Sequence, residues 1–204
     1  MSDSAEIVLL VIGTAVAFVI VIAADFAKQP LIDDSIAHWH VTVPGLKVKP
    51  ERFFESVSLA VRRHDVPNIS YARVELYESH IASHTRPYLR ISLKRLSFYV
   101  FAAPLGESLF ISSWFIFKRS LLARVLLATP LIGPLFGRFI QLSEVRTFYS
   151  YDSILHFIEI VHGSVLGVVD KLTTADNLPR LEDTARKPIM RELYPQPTAP
   201  RMVF

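Results

Sequence analysis

The chain contains no cysteine. Disulfides, thiolate-bound zinc, iron–sulfur clusters and cysteine nucleophiles are therefore excluded from its chemistry. Charge is scarce as well: 20% of the 204 residues are Asp, Glu, Lys or Arg, against 51% hydrophobic. The net charge of +3 is not gathered into a basic stripe interleaved with aromatics, so no nucleic-acid partner is implied. A G-x-S-x-G elbow, a P-loop and a dinucleotide Gly-rich fingerprint are all missing. That removes the enzyme classes that announce themselves by motif. The length suits one domain with attachments.

What is present first is a run without charge. Between Glu6 and Asp25 no residue is ionisable, and Thr14 is the one hydroxyl. As a helix, Ile7–Ala24 would rise about 27 Å, close to the hydrocarbon thickness of a bilayer. We expect a transmembrane helix over 1–25, with Ile7, Leu10, Phe18 and Ala24 in lipid. A cleaved signal peptide would want a basic start, and Met1–Glu6 holds neither Lys nor Arg. Lys28, Lys47, Lys49, Arg52, Arg62 and Arg63 follow the run. The positive-inside rule then puts the N-terminus outside and the main domain in the cytoplasm.

Residues 26–49 read as a linker with a short strand, Trp39–Val43, closed by Pro44-Gly45. A domain over 50–177 begins at Pro50, a residue suited to a first helical turn. Phe53, Val57, Ala60 and Val61 share one helical face, and Val66-Pro67-Asn68 ends that helix. Ala72, Val74 and Leu76, and then Leu89, Ile91 and Leu93, alternate with polar neighbours as half-buried strands do. Leu96–Ala103 and Leu109–Phe117 are apolar on both faces, with a turn at Pro104–Ser108. Their bulk, Phe101, Phe110 and Trp114 above all, predicts that the second face is covered too, by the chain, by lipid or by a partner. Those three are candidate partner-binding residues.

A long helix is expected from Asp152, read as its N-cap. Ile154, Phe157, Ile158, Val161, Val165, Val168, Val169 and Leu172 lie at helical spacing. Gly163 and Gly167 form a small-xxx-small pair, which suggests a close approach at that face, most simply by the domain's own sheet. The resulting expectation is α+β: an N-terminal transmembrane helix, then an antiparallel four-stranded sheet with two helices packed on one face.

An apolar interlude at 120–142 precedes that helix. Val125–Gly137 carries no charge but holds Pro130, Gly133, Pro134 and Gly137, and basic residues flank it on both sides. It is too short and too broken to span. A hairpin dipping into the leaflet, or a partner contact, fits it better, with Leu126, Leu131, Ile132, Leu135 and Phe136 as the inserting residues. The tail, 178–204, contains five prolines. It cannot form one helix and is either disordered or a strap that orders on a partner.

The histidines were weighed as ligands. His38 and His40 point one way if they lie on a strand. His80 and His84 are four apart, but Ile81 stands where a zincin needs Glu. His156 and His162 face different ways on a helix. Surface or interfacial histidines are the ordinary reading, and no metal or cofactor is implied. Tyr88, Arg90, Ser92 and Lys94 read as a solvated stripe. Glu75 and Glu78, three apart on a strand, make a poor carboxylate pair.

Tyr99–Gly106, with Phe110–Trp114 after it and Arg186-Lys187-Pro188 late in the chain, resembles a family of bacterial membrane-anchored proteins with an Ala-Pro-Phe-Gly turn. Leu105 stands where that family usually has Phe. The resemblance spans roughly residues 44–192 and implies domain limits but no activity. The expectation from all of this is a non-enzymatic accessory or scaffold subunit of a bacterial inner-membrane complex, its partners being the bilayer and other membrane-protein subunits. A photosynthetic or respiratory complex is one host that fits. The alternative is a tethered domain for a lipid or other hydrophobic ligand.

Overall fold

A computed structural model describes residues 34–77, 85–118 and 148–190. The expected span with Ile7, Leu10, Phe18 and Ala24, the interlude with Leu126, Leu131, Ile132, Leu135 and Phe136, His80, His84, and the tail from residue 191 lie outside the described residues.

The elements run β1 (Ser35–Pro44), α1 (Pro50–Arg62), β2 (Ile69–Tyr77), β3 (Thr85–Leu93), β4 (Leu96–Leu105), β5 (Ser108–Phe117), α2 (Phe148–Ala175) and β6 (Ile189–Met190). The strands form one antiparallel sheet in the order β2-β3-β4-β5-β1-β6. The α+β class and the two helices agree with expectation. The sheet has six strands rather than four. The meander β2–β5 is there as read, and β1 and β6 extend it past β5.

α1 starts on Pro50, whose fixed φ suits the first turn and whose missing N–H costs nothing there. It buries Phe53, Phe54, Val57 and Val61. α2 begins one turn earlier than expected, so Asp152 lies exposed inside it and is no cap. Its buried stripe is the one the spacing picked out: Ile154, Phe157, Ile158, Val161, Val165, Val168 and Val169. The helix stops at Asn177, which takes a positive φ of 52°, while the Leu178 amide donates back to the Thr173 carbonyl at 2.8 Å. This is a Schellman ending, and Pro179 follows it. Tyr151–Ala175 is long and apolar enough to cross a bilayer, but its apolar stripe joins the core formed with α1 and the sheet. Phe53, Phe115 and Phe157 are fully buried in that core, each worth about 2–3 kcal/mol of apolar transfer.

Strand register settles which side chains face the helices. Leu89 and Ile91 of β3, Phe98 and Val100 of β4, Ile111 and Phe115 of β5, and Trp39 and Val43 of β1 point into the core. Ala72 pairs with Arg90 and Val74 with Tyr88. Ala72, Val74 and Leu76 of β2 therefore share the opposite face with Tyr88, Arg90 and Ser92, while Ile69 and Tyr71 turn to the core. Lys94 is not on that stripe: it sits in the β3–β4 turn with a φ of 53°.

Candidate functional site

Among the described residues no helix lies on the other face of the sheet, yet this helix-free face is not a bare solvated surface. Tyr99, Phe101, Ser97 and Ile116 project to it, and all four are buried. The central strands are therefore buried on both faces, as the double-sided apolar pattern of β4 and β5 predicted.

Across this face runs a continuous series of ring contacts. Tyr88 meets Phe101 at 5.1 Å between centroids, and Phe101 meets Phe110 at 6.2 Å. Phe110 lies 6.5 Å from His40, whose ring is parallel to His38 at 6.3 Å. His38 in turn stacks on Trp114 at 5.1 Å. The three expected partner-binding residues, Phe101, Phe110 and Trp114, thus lie on one face. Phe101 is itself buried, and Phe110 and Trp114 are half-buried. The His38–His40 pair does point one way, as i,i+2 residues on a strand must. Among the described residues no third His, Cys, Asp or Glu joins it to make a metal set.

The face ends in a groove. An open cavity of about 630 Å³ is lined by Phe101, Ala103, Leu105, Phe110, Pro87 and Arg86. Its floor is the start of the β4–β5 hairpin, where Gly106 takes a φ of 58° that the two-residue turn requires. The hairpin tip is held in place by the Gly45 amide, which donates to the Glu107 carbonyl at 2.9 Å, and by a Lys47–Glu107 ion pair. Leu105 stands 60% exposed at the rim, a large apolar side chain in the hairpin. The Arg86 guanidinium lies 5.7 Å from the Phe101 ring centroid. The lining is apolar with one cation, a composition suited to an apolar segment or an acyl chain and poor for acid–base chemistry.

A second cluster occupies the opposite face. It was not expected, because its members are far apart in sequence. Trp39 donates its indole N–H to the Ala185 carbonyl at 2.6 Å. His162 Nε2 lies 2.8 Å from the Arg186 carbonyl. The Arg186 guanidinium grips both Asp170 carboxylate oxygens at 2.7 Å, and Arg180 stands 3.6 Å from the same carboxylate. The Trp39 and His162 rings meet edge to face at 5.2 Å. Leu178 packs against Gly45, and β6 pairs with Ala37 and His38 on the outer edge of β1. Residues 178–190 are therefore a strap, but one laid on the chain's own β1 and α2. The Arg186 bond holds the Asp170 carboxyl below the usual carboxylate range. Burial, helped by the Arg186 charge, pushes the His162 imidazole below the usual histidine range despite its backbone bond. Proline content hid this cluster; the Arg-Lys-Pro element at Arg186 was its one trace in the sequence.

Gly163 and Gly167 are exposed, and a Cβ at either would meet nothing within 4 Å among the described residues. The approach by the domain's own sheet is not made, because the pair falls on the exposed side of α2.

No family model matches the chain, and neither a curated protein nor a solved structure is significantly similar to it.

Proposed function

We propose that the chain is a membrane-anchored accessory subunit without chemistry of its own, whose domain docks an apolar element of a neighbouring subunit at the helix-free sheet face. In this reading Ile7–Ala24 is the anchor, the apolar interlude with Leu126, Leu131, Ile132, Leu135 and Phe136 contributes to the membrane or partner contact, and the domain faces the cytoplasm of a bacterial cell. The groove carries the reading. It offers an exposed Leu105 and a half-buried Phe110 over the buried Phe101 ring, beside a single cation among the described residues, and a large apolar side chain left exposed at the rim of an apolar groove suits a surface that is covered in use.

Extraction in mild detergent, native electrophoresis and mass spectrometry test it. The wild-type chain should migrate with a stoichiometric partner, and Leu105→Asp, a change at an exposed position, should release that partner. A lone monomer from native membranes would sink the proposal. The volume of the groove favours one second reading, an acyl-chain or other hydrophobic ligand. That reading expects organic extraction of the purified chain to yield a lipid, in an amount that Leu105→Asp reduces.

A further inference from the structure

The strap is joined to the domain through a titratable group buried where it cannot be satisfied once charged. The Arg186 carbonyl can only accept, so His162 must carry its proton on Nε2. Nδ1 is then the bare nitrogen. It is buried and has no hydrogen-bond partner. A proton arriving there creates a donor with no acceptor and a cation with no counter-ion, both costly in a buried site.

Among the described residues the surroundings offer no relief. On the strap the nearest charge is the Arg186 guanidinium, of the same sign, and it already occupies both oxygens of Asp170. Asp183, also on the strap, is exposed and lies towards Arg186. β1 presents the Trp39 ring, while His38 and His40 sit on the other face of the sheet. On α2, His156 and Glu159 are exposed. On α1, Glu55 and Arg62 are turned to Arg73 and Tyr71 on β2.

We propose that residues 178–190 form an acid-released strap, latched by neutral His162, whose departure uncovers Trp39 and the outer edge of β1. The direction follows from linkage. A histidine whose affinity for protons is lower when folded contributes a latch that is complete above the ordinary histidine range. That latch weakens as pH falls through the ordinary range towards the lowered value, because the open form binds the proton more readily. Opening frees the backbone of β1 from its pairing with Ile189 and Met190, leaving an edge able to receive another strand.

Trp39 reports the state directly. In the full-length chain in detergent carrying Trp114→Phe, acrylamide quenching of Trp39 should rise about two- to threefold between about pH 7.5 and about pH 5, the span over which histidine titrates. Far-UV circular dichroism should stay constant over the same span. His162→Gln keeps a donor for the Arg186 carbonyl and cannot titrate, so its quenching should be flat. Unchanged quenching in the parent, a rise that survives in His162→Gln, or a rise accompanied by loss of helical signal would each overturn the latch. Should His162→Gln not fold, NMR of the His162 ring in the parent decides: protonation must track the quenching, and a ring still neutral where quenching has risen overturns it.

Discussion

Asp170 and Arg186 show how unequal the ion pairs of this domain are. Lys47–Glu107 joins side chains that are 67% and 81% exposed, and Arg73–Glu55 is similarly wet. Water and salt screen such pairs, which are worth about 0–1 kcal/mol. Arg186–Asp170 is bidentate and mostly shielded, at 17% and 26% exposure. Hydrogen bonds to charged groups in such settings contribute about 1.5–3 kcal/mol. Arg186→Ala should therefore lower unfolding free energy by about 1–3 kcal/mol in chemical denaturation, while Glu107→Gln should stay within about 0.5 kcal/mol of the parent. The acid limb gives a second readout. The Asp170 carboxyl is depressed by its Arg186 bond, so its contribution is present above the usual carboxylate range and is lost as pH falls through the lowered value. The parent should lose stability there more steeply than Arg186→Ala, and equal slopes would mean that the pair does not bear on folding.

At the scale of elements, α2 makes the sharpest prediction. Gly163 and Gly167 lie in its interior with φ in the ordinary range and open space beside them. Glycine in a helix costs about 0.5–1 kcal/mol relative to alanine. Gly163→Ala and Gly167→Ala should each raise thermal stability by about that amount in the isolated chain, and a loss would reveal that something packs on this face after all. The core stripe of α2 was readable in advance because apolar residues repeat every three or four positions, a period only a helix satisfies. The double-sided burial of β4 and β5 was readable because Tyr99, Phe101 and Ile116 interrupt any polar alternation. What could not be read was pairing. Alternation along β2 says that Ala72, Val74 and Leu76 share a face, yet only the Ala72–Arg90 register says that this face is turned from the helices. β1 reads as Trp39–Val43 alone, and only its pairing with β5 carries it back to Ser35; His38 and His40 occupy the helix-free face. β6 is two residues long in a proline-rich stretch and is a strand solely because β1 lies beside it. The Trp39–His162–Arg186 contacts join residues up to 146 positions apart, and no local pattern encodes them.

For the whole molecule, two segments compete for the bilayer. Tyr151–Ala175 passes on length and composition, but inserting α2 would strip Phe157, Val161 and Val165 from the core and carry Asp170 into lipid. A carboxylate there costs about 2.5–3.5 kcal/mol even on the mildest scale, before the lost packing is counted. Ile7–Ala24 has no charge to bury, so the proposed anchor falls to it. The apolar interlude with its basic flanks would add a weaker, peripheral hold, since it is too short to cross. These two contributions separate experimentally. Full-length chain should remain in the membrane pellet after alkaline carbonate, which strips peripheral proteins. A chain lacking residues 1–25 should pellet at low salt and appear in the supernatant after carbonate. If the truncated chain resisted carbonate, α2 or the interlude would have to be integral, and the domain described by the sheet and its two helices would need a different environment on its outer face. If the full-length chain were released, the cytoplasmic-domain orientation and the accessory-subunit proposal would fall with the anchor. The groove and the acid-released strap would stand, because both are built from residues 34–77, 85–118 and 148–190.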